Sequence, residues 1–252
     1  MTTSDHSQEP KTGVRDFLPG TAGFALGVLH IASPIHYLPG NLQNATTLGF
    51  PVAFECVPDV DAADVFACST RLESGLQQAA LRLERRGVRA IIGACGSFAA
   101  FQSSIAARVN VPVFTSILTQ INFILDSLPQ QQKLAIVFAN QQTFSERIRN
   151  ECRVREVDRL LLTDCMSLPA FRSMLTEPFS PQTAELEAQL VEHIEGFVAQ
   201  HPQTGAIMLQ CSELPPYAAA IQRRVPLPIF DVVTLAEWVF SCVIRHGYVG
   251  YA

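Results

Sequence analysis

Two cysteines share one local setting, which separates them from the other thiols of the chain. Cys95 follows the apolar run 88–94, and Cys211 follows the apolar run 205–210. A serine stands within two residues after each cysteine, and a short helical pattern comes next. Two thiols in this repeated context predict a facing acid/base pair, in which one thiolate removes a proton and the opposite thiol returns one.

The predicted place of each cysteine, where a buried strand ends and a helix begins, suits a binding site. In an open α/β sheet, ligands bind at the carboxyl edge of the strands. A helix N-terminus offers unpaired N–H groups and positive potential, which lowers a thiol pKa from roughly 8.5. Gly96 lets a ligand approach the backbone. Ser97 and Ser212 add hydroxyls that could hold a substrate carboxylate.

The alternative interpretation treats a cysteine as a small core hydrophobe, because free cysteine is among the most buried residue types. We favour that interpretation for the five thiols without a repeated context, which are Cys56, Cys68, Cys152, Cys165 and Cys242. For Cys95 and Cys211 the matched context favours chemistry.

The composition excludes several classes of protein. Of the 252 residues 48% are hydrophobic and 16% are charged, and the net charge of -5 argues against nucleic-acid binding. Seven scattered cysteines without metal-ligand spacing argue against a disulfide framework or a zinc site. The polar leader 1–20 lacks the apolar core of a signal peptide, and no stretch reaches the length of a membrane span. We expect a cytoplasmic protein, with its leader flexible and no metal in its site.

Short apolar runs alternate with longer amphipathic stretches, which predicts an α/β fold with mainly parallel sheets. The predicted strands are Phe24–Ile31, Val52–Val57, Val88–Ala94, Val111–Phe114, Lys133–Ala139, Glu156–Leu162, Gly205–Gln210 and Leu227–Phe230. Apolar residues at helical spacing predict helices over Arg71–Arg86 and Thr183–Gln200.

A coarse duplication predicts two lobes. The run 87–95 is echoed by 204–211, and each leads through a helix to a proline-containing strand. The prediction is two pseudo-symmetric three-layer α/β lobes with the active site in the cleft between them. We assign 21–115 plus 227–252 to the first lobe and 116–226 to the second.

At these residues the chain resembles the aspartate/glutamate/hydantoin racemase superfamily, from Gly27 to about Trp238. Cys95-Gly96-Ser97 stands in the place of the superfamily's Cys-Asn-Thr motif, and Cys211-Ser212-Glu213 is similar to its Cys-Thr-Glu/His motif. The resemblance implies facing lobes, catalysis by both cysteines, no pyridoxal phosphate or other cofactor, and a homodimer or higher homo-oligomer.

The stretch from Pro39 to Thr47 is similar to a Pro-Gly-Asp-x-x-Asn-x-x-Thr pattern of a less characterised branch of this superfamily. Its amides, Asn41 and Asn44, lie on a loop at the carboxyl edge of the sheet, where they could close over a ligand. The alternative is that Pro39-Gly40-Asn41 only forms a turn.

Five further residues are predicted as substrate contacts, and for two of them the sequence leaves a second interpretation. Glu213 could orient a thiol or contact a substrate amine, or it could cap the following helix. Thr115 lies where the lobes should join and could equally be a helix cap. Ser33 stands near the place where the superfamily has an Asp-Ser pair. Asn140 and Thr143 loosely match its carboxylate cradle.

The leading hypothesis is a racemase or epimerase of an amino acid or related small carboxylate, working by two-base proton transfer between the cysteines. One alternative is a maleate-isomerase-like enzyme in which Cys95 attacks a double bond. Another is an arylmalonate-decarboxylase-like lyase, which would need one cysteine. A third, from a different class, is a non-catalytic protein that binds a small carboxylate. Exchange of a substrate α-proton with solvent discriminates among them.

Overall fold

The computed structural model describes residues 22–177 and 184–250, which contain eight strands and nine α-helices. The strands are β1 Leu26–Ile31, β2 Val52–Val57, β3 Ala90–Gly93, β4 Val113–Phe114, β5 Lys133–Phe138, β6 Leu160–Asp164, β7 Thr204–Leu209 and β8 Ile229–Phe230. The helices are α1 Ala62–Ala67, α2 Thr70–Arg85, α3 Gln102–Ala106, α4 Ile121–Ser127, α5 Glu146–Glu151, α6 Pro169–Thr176, α7 Ala184–Gln200, α8 Ala218–Arg224 and α9 Val232–Val243. Short 3₁₀ helices occur at Gly96–Phe101, Ile117–Gln120, Gln141–Thr143, Val157–Arg159 and Pro215–Tyr217.

The strands form two four-stranded sheets with the same order. The first sheet is β2-β1-β3-β4 and the second is β6-β5-β7-β8, and every pairing is parallel. This repetition confirms the predicted α/β fold with two similar units. All the predicted strands form, but β6 starts later than predicted because Val157–Arg159 takes a 3₁₀ turn first.

The two cysteine-bearing strands, β3 and β7, lie inside their sheets and are buried along their whole length. In the first unit α2 covers the sheet with Leu72, Leu76 and Leu83, all without exposed surface. Each such leucine contributes about 1.5–3 kcal/mol by its burial. Ser69 begins this helix by accepting a hydrogen bond from the N–H of Leu72 at 3.1 Å. The strand ends that carry the cysteines are therefore held by a rigid core.

One part of the predicted lobe division is wrong. Residues 227–252 were assigned to the first lobe, but β8 pairs with β7 and completes the second sheet. The strand follows α8 closely, so the crossover adds it beside β7. After Asp231, α9 packs against β3 of the first unit, and its Val232, Leu235 and Val239 join a buried cluster that contains residues of both sheets. The leader 1–20 lies outside the described residues, and the other lobe boundaries stay predictions.

Gly93, the last residue of β3, has no room for a side chain. A Cβ there would overlap the carbonyl oxygen of Thr115 and lie 2.8 Å from its carbonyl carbon. We expect Gly93→Ala to lower the free energy of unfolding by about 1–3 kcal/mol, because backbone rather than a flexible side chain must move. Thermal unfolding measures this, with Gly49→Ala as control, since a Cβ at Gly49 meets nothing within 4 Å. Equal melting temperatures for the two variants would contradict the prediction.

Candidate active site

The segments that contain Cys95 and Cys211 contact each other, although they follow strands of different sheets. Cys95 follows β3 and Cys211 follows β7, which are equivalent strands of the two units, and both residues are partly exposed. A Cβ on Gly96 would lie 2.8 Å from the carbonyl oxygen of Gln210 and would overlap its side chain. Each cysteine's immediate neighbour therefore touches the other segment, and the charge of Cys95 contributes to the raised pKa of Cys211. The structure brings the two predicted catalytic residues together.

The space between the segments is narrow, and the described residues that line it carry no charge. It has no room for a water-sized molecule in this structure, and its described lining consists of Gly93, Ala94, Cys95, Gly96, Ser116, Ile117, Gln210, Ser212 and Val232. Of the predicted substrate contacts, Gly96 and Ser212 line it, whereas Ser116 and Gln210 were not predicted. A substrate carboxylate that enters when the two segments move apart would meet hydroxyl, carboxamide and backbone N–H groups.

The expected lowering of the thiol pKa values is wrong. Burial raises the pKa of Cys95, although hydrogen bonds from Ser97 and Phe98 oppose the rise. Burial and then the charge of Glu213 raise the pKa of Cys211 well above its ordinary value of 9.0. The helices that follow are short 3₁₀ segments, so their positive potential is small beside the cost of burying a thiolate.

Glu213 is a buried carboxyl that interacts with both thiols. Its Oε2 accepts a hydrogen bond from Nδ2 of Asn41 at 2.8 Å, and its Oε1 accepts one from Oγ of Ser212 at 3.4 Å. Burial raises the pKa of Glu213 to about 7, and the charge of its carboxylate raises the pKa of both cysteines. Leu214, not Glu213, occupies the N-cap of the following 3₁₀ helix. The site thus holds an acidic group that titrates near neutrality.

The loop 39–47 of the first unit packs on the Cys211 segment of the second. Gly40 has φ +102°, and a Cβ there would lie 2.7 Å from Cα of Pro216. Both the backbone conformation and the close packing therefore require glycine. Thr47 Oγ1 accepts from the N–H of Gly40 at 2.9 Å and donates to the carbonyl of Asn41 at 2.5 Å. The loop is therefore a hydrogen-bonded turn that also carries Asn41 across to Glu213.

Asn44 shapes this loop. Its Nδ2 donates to the carbonyl of Tyr37 at 2.7 Å, and its Oδ1 accepts from the N–H of Thr46 at 2.9 Å. Ser33 lies at the start of the same connection, and its carbonyl accepts from the hydroxyl of Tyr37 at 3.4 Å. Neither Asn44 nor Ser33 lines the space between the cysteines, so their contact with substrate stays a prediction.

Three further predicted contacts make local hydrogen bonds. Thr115 is fully buried, and its Oγ1 donates to Oε1 of Gln102 at 2.8 Å. Thr143 Oγ1 donates to the carbonyl of Asn140 at 2.7 Å, and Asn140 Oδ1 accepts from the N–H of Gln142 at 3.0 Å. The predicted contacts of Thr115, Asn140 and Thr143 with substrate are not tested by this arrangement.

Two tyrosines that sequence reasoning missed stand near the carboxyl of Glu213. Burial raises the pKa of Tyr37, and the charge of Glu213 adds to that rise. Burial raises the pKa of Tyr217 to about 12, with the charges of Glu213 and Glu187 adding to the rise. Tyr217 follows Glu213 by only four residues, whereas Tyr37 comes near it only when the connection after β1 packs on the second unit, which no local pattern in the sequence indicates.

The five remaining thiols do not behave alike. Cys152 and Cys165 are buried as predicted, and burial raises the pKa of each to about 12. Cys56 and Cys242 are exposed, so the core interpretation is wrong for them. Cys56 lies on β2, an edge strand, and Cys242 lies on the outward face of α9.

Two classes of feature are absent from the described ranges. No three histidine, cysteine, aspartate or glutamate side chains between 22 and 177 or between 184 and 250 come together as ligands for a metal ion. Within the same ranges no helix has the length and apolar character needed to cross a bilayer.

Two like-ordered parallel sheets, each with a cysteine after its third strand, define a class of two-lobed α/β proteins with a paired-cysteine site. The family model described as Asp/Glu/Hydantoin racemase matches residues 27–239. The chain therefore belongs to the Asp/Glu/hydantoin racemase family, and the resemblance inferred from the cysteine motifs is confirmed.

Similar proteins include lyases as well as racemases. A dimethylsulfoniopropionate lyase of Durusdinium sp. clade D is 24% identical over 228 residues, which are 87% of this chain and 75% of the relative. Dimethylsulfoniopropionate lyase 6 of Emiliania huxleyi (strain CCMP1516) is 32% identical over 67% of this chain, and the match spans 46% of that relative's length. A solved aspartate racemase homologue from Pyrococcus horikoshii OT3 has a TM-score of 0.57 at 14% identity, covering 86% of this chain and 98% of that one.

Proposed function

We propose that this chain is a cofactor-independent lyase that removes a proton beside a carboxylate and expels a sulfonium group from the neighbouring carbon. The observation that carries the proposal is the buried carboxyl of Glu213 beside both thiols. The names of the similar sequences support dimethylsulfoniopropionate as the substrate. The cytoplasmic location and the homo-oligomer stay predictions.

The surroundings of Glu213 suit a cationic group. Above a pH of about 7 its carboxyl is ionised, and Tyr37 and Tyr217 lie within its electrostatic reach. A carboxylate attracts a sulfonium cation by charge. A purely anionic substrate would be repelled from the same place. The site therefore favours a zwitterion over a simple dicarboxylate.

Cys95 is the better base of the pair. Hydrogen bonds from Ser97 and Phe98 favour the thiolate of Cys95, whereas Cys211 has one such hydrogen bond, from the backbone of Glu213. The charge of Glu213 raises the pKa of both thiols, and the charge of Cys165 raises that of Cys211 further. We assign the thiolate to Cys95 and the thiol to Cys211, which stays protonated on the opposite side of the substrate.

The elimination balances without a further reactant. The thiolate of Cys95 takes the α-proton, and the electron pair of that C–H bond becomes the double bond between the α- and β-carbons. The bond from the β-carbon to sulfur breaks, and its electron pair leaves with sulfur. Dimethylsulfoniopropionate then gives neutral dimethyl sulfide and acrylate, and the proton held by Cys95 returns to solvent. The hydroxyls and N–H groups around the cleft would stabilise charge that builds on the substrate carboxylate in the transition state.

Racemisation remains a second candidate because the cysteines occupy equivalent positions at the ends of β3 and β7. A two-base inversion needs one acid/base group on each face of the carbon, and this pair offers both. It would make the two thiols equally necessary, unlike the elimination.

The test is incubation with dimethylsulfoniopropionate in heavy water. We expect dimethyl sulfide in the headspace and an equal amount of acrylate by NMR. Deuterium at the α-carbon of an amino acid together with inversion would favour the racemase. Isomerisation of maleate or loss of carbon dioxide from an arylmalonate would favour the other enzymatic alternatives. Binding of a carboxylate with neither exchange nor turnover would favour the non-catalytic protein.

A further inference from the structure

Gln210 is a buried carboxamide that the sequence motifs do not single out. It precedes Cys211 and is 6% exposed, and its backbone N–H donates to the carbonyl of Val137 at 2.9 Å. Its side chain has no hydrogen-bond partner within 22–177 and 184–250. Those ranges contain no fully enclosed side-chain N or O atom lacking a partner, so the carboxamide of Gln210 reaches the narrow space that it lines. Its donor and acceptor atoms can therefore be reached by a small polar group that enters this space.

Gly96 makes the room for this carboxamide. A Cβ on Gly96 would overlap both Cδ and Nε2 of Gln210, which belongs to the opposite unit. The sequence-based expectation was that Gly96 lets a ligand approach the backbone. In the structure, the space above Gly96 holds the Gln210 side chain instead. Gly96 and Gln210, which adjoin the two cysteines, therefore pack directly against each other.

We propose that Gln210 binds the substrate carboxylate through its Nε2–H groups, an inference that rests on the proposed function of the same site. The described walls of the cleft carry no cation, so a carboxylate must be held by neutral donors. Gln210 offers two such donors, the N–H groups of its Nε2 atom, in the same cleft lining as Cys95.

Glu213 fixes the direction in which the substrate lies. Its carboxylate repels the carboxylate of the substrate and attracts the sulfonium group, while Gln210 accepts only the anionic end. Dimethylsulfoniopropionate would therefore bind in one orientation, with its α-carbon between Cys95 and Cys211. Gln210 is a specificity-determining residue by this argument, because it selects a carboxylate on the carbon that loses its proton.

The test measures binding separately from turnover. In the Cys95→Ser background turnover is expected to be slow enough for isothermal titration calorimetry to give the dissociation constant of dimethylsulfoniopropionate. We expect Gln210→Met, which keeps the length of the side chain and removes the amide, to weaken binding by about 10–100-fold. Gln120→Met is the matched control. Gln120 is 8% exposed, its carboxamide likewise has no hydrogen-bond partner in the described ranges, and it lines a different cavity of about 500 Å³ beside Trp238.

Propionate and trimethylsulfonium, which each carry one of the two charges of the substrate, show which charge Gln210 binds. In saturation-transfer NMR we expect Gln210→Met to weaken the binding of propionate and to leave trimethylsulfonium unchanged. Unchanged binding of both propionate and dimethylsulfoniopropionate would overturn the role of Gln210, as would equal losses in Gln120→Met. If Gln210→Met fails to fold, Gln210→Asn keeps the amide but withdraws it by one methylene, and the same selective loss of propionate is expected. If propionate binding depends on Gln210 while the wild-type protein eliminates nothing, the carboxylate subsite stands and the lyase proposal fails.

Discussion

Replacing Cys95 by serine is expected to lower kcat/KM for elimination from dimethylsulfoniopropionate by about 10²–10⁴-fold, the usual contribution of a positioned general base. Serine keeps the shape and the hydrogen bonds of cysteine, but its hydroxyl is a far weaker acid and forms almost no anion near neutrality. Headspace measurement of dimethyl sulfide gives the rate, and circular dichroism checks that the variant is folded. An activity within a factor of two of the wild type would contradict the assignment of Cys95 as the base.

Two matched variants sharpen this result. Cys242→Ser changes an exposed thiol of α9 and is expected to leave the rate unaltered. Cys211→Ser separates the two candidate reactions, because the proposed elimination needs a base on one face, whereas two-base racemisation needs both. A smaller loss in Cys211→Ser than in Cys95→Ser supports elimination. Equal losses of α-proton exchange in both variants would support racemisation.

The fold and the cysteine pair were predictable because their signals are local. Parallel strands buried on both faces appear as short apolar runs, and β2 has the bounds that its pattern predicted. The repeated strand, cysteine and helix pattern predicted equivalent positions, and the shared strand order of the two sheets follows the same duplication. The assignment of β8 failed for the same reason, since a two-residue strand carries no local sign of which sheet it joins.

The rest of the site depends on contacts between residues far apart in the sequence. Asn41 and Glu213 form their hydrogen bond across 172 positions, and Gly96 and Gln210, which pack against each other, are 114 positions apart. The pKa values failed as predictions because a helix N-terminus can be inferred from a sequence, whereas the desolvation of Cys211 depends on what covers it. Motifs can locate the reacting atoms, but the electrostatics of the cleft follow from how the two units close.

The titration of Glu213 makes the stability of the protein depend on pH. Folding raises the pKa of its carboxyl from 4.5 to about 7, so the folded state binds the proton more tightly than the unfolded state. The free energy of unfolding is therefore greatest below pH 4.5 and falls as pH rises through 7, by about 3 kcal/mol from this group. Glu213→Gln has no such proton to lose. Its stability relative to the wild type is expected to increase by that amount between pH 4.5 and 8, as measured by urea unfolding.

The same substitution should damage function while it stabilises the fold. The ionised carboxylate attracts the sulfonium group, so we expect the wild-type kcat/KM to rise with pH as Glu213 loses its proton near 7. Glu213→Gln should lose this limb of the profile and bind trimethylsulfonium at least about 10-fold more weakly, because a charged partner becomes neutral. Glu192→Gln, on the exposed side of α7, is the control for both measurements. An unchanged pH profile in Glu213→Gln together with unchanged trimethylsulfonium binding would refute the role of this carboxyl, since a group kept for packing alone would alter stability without altering either.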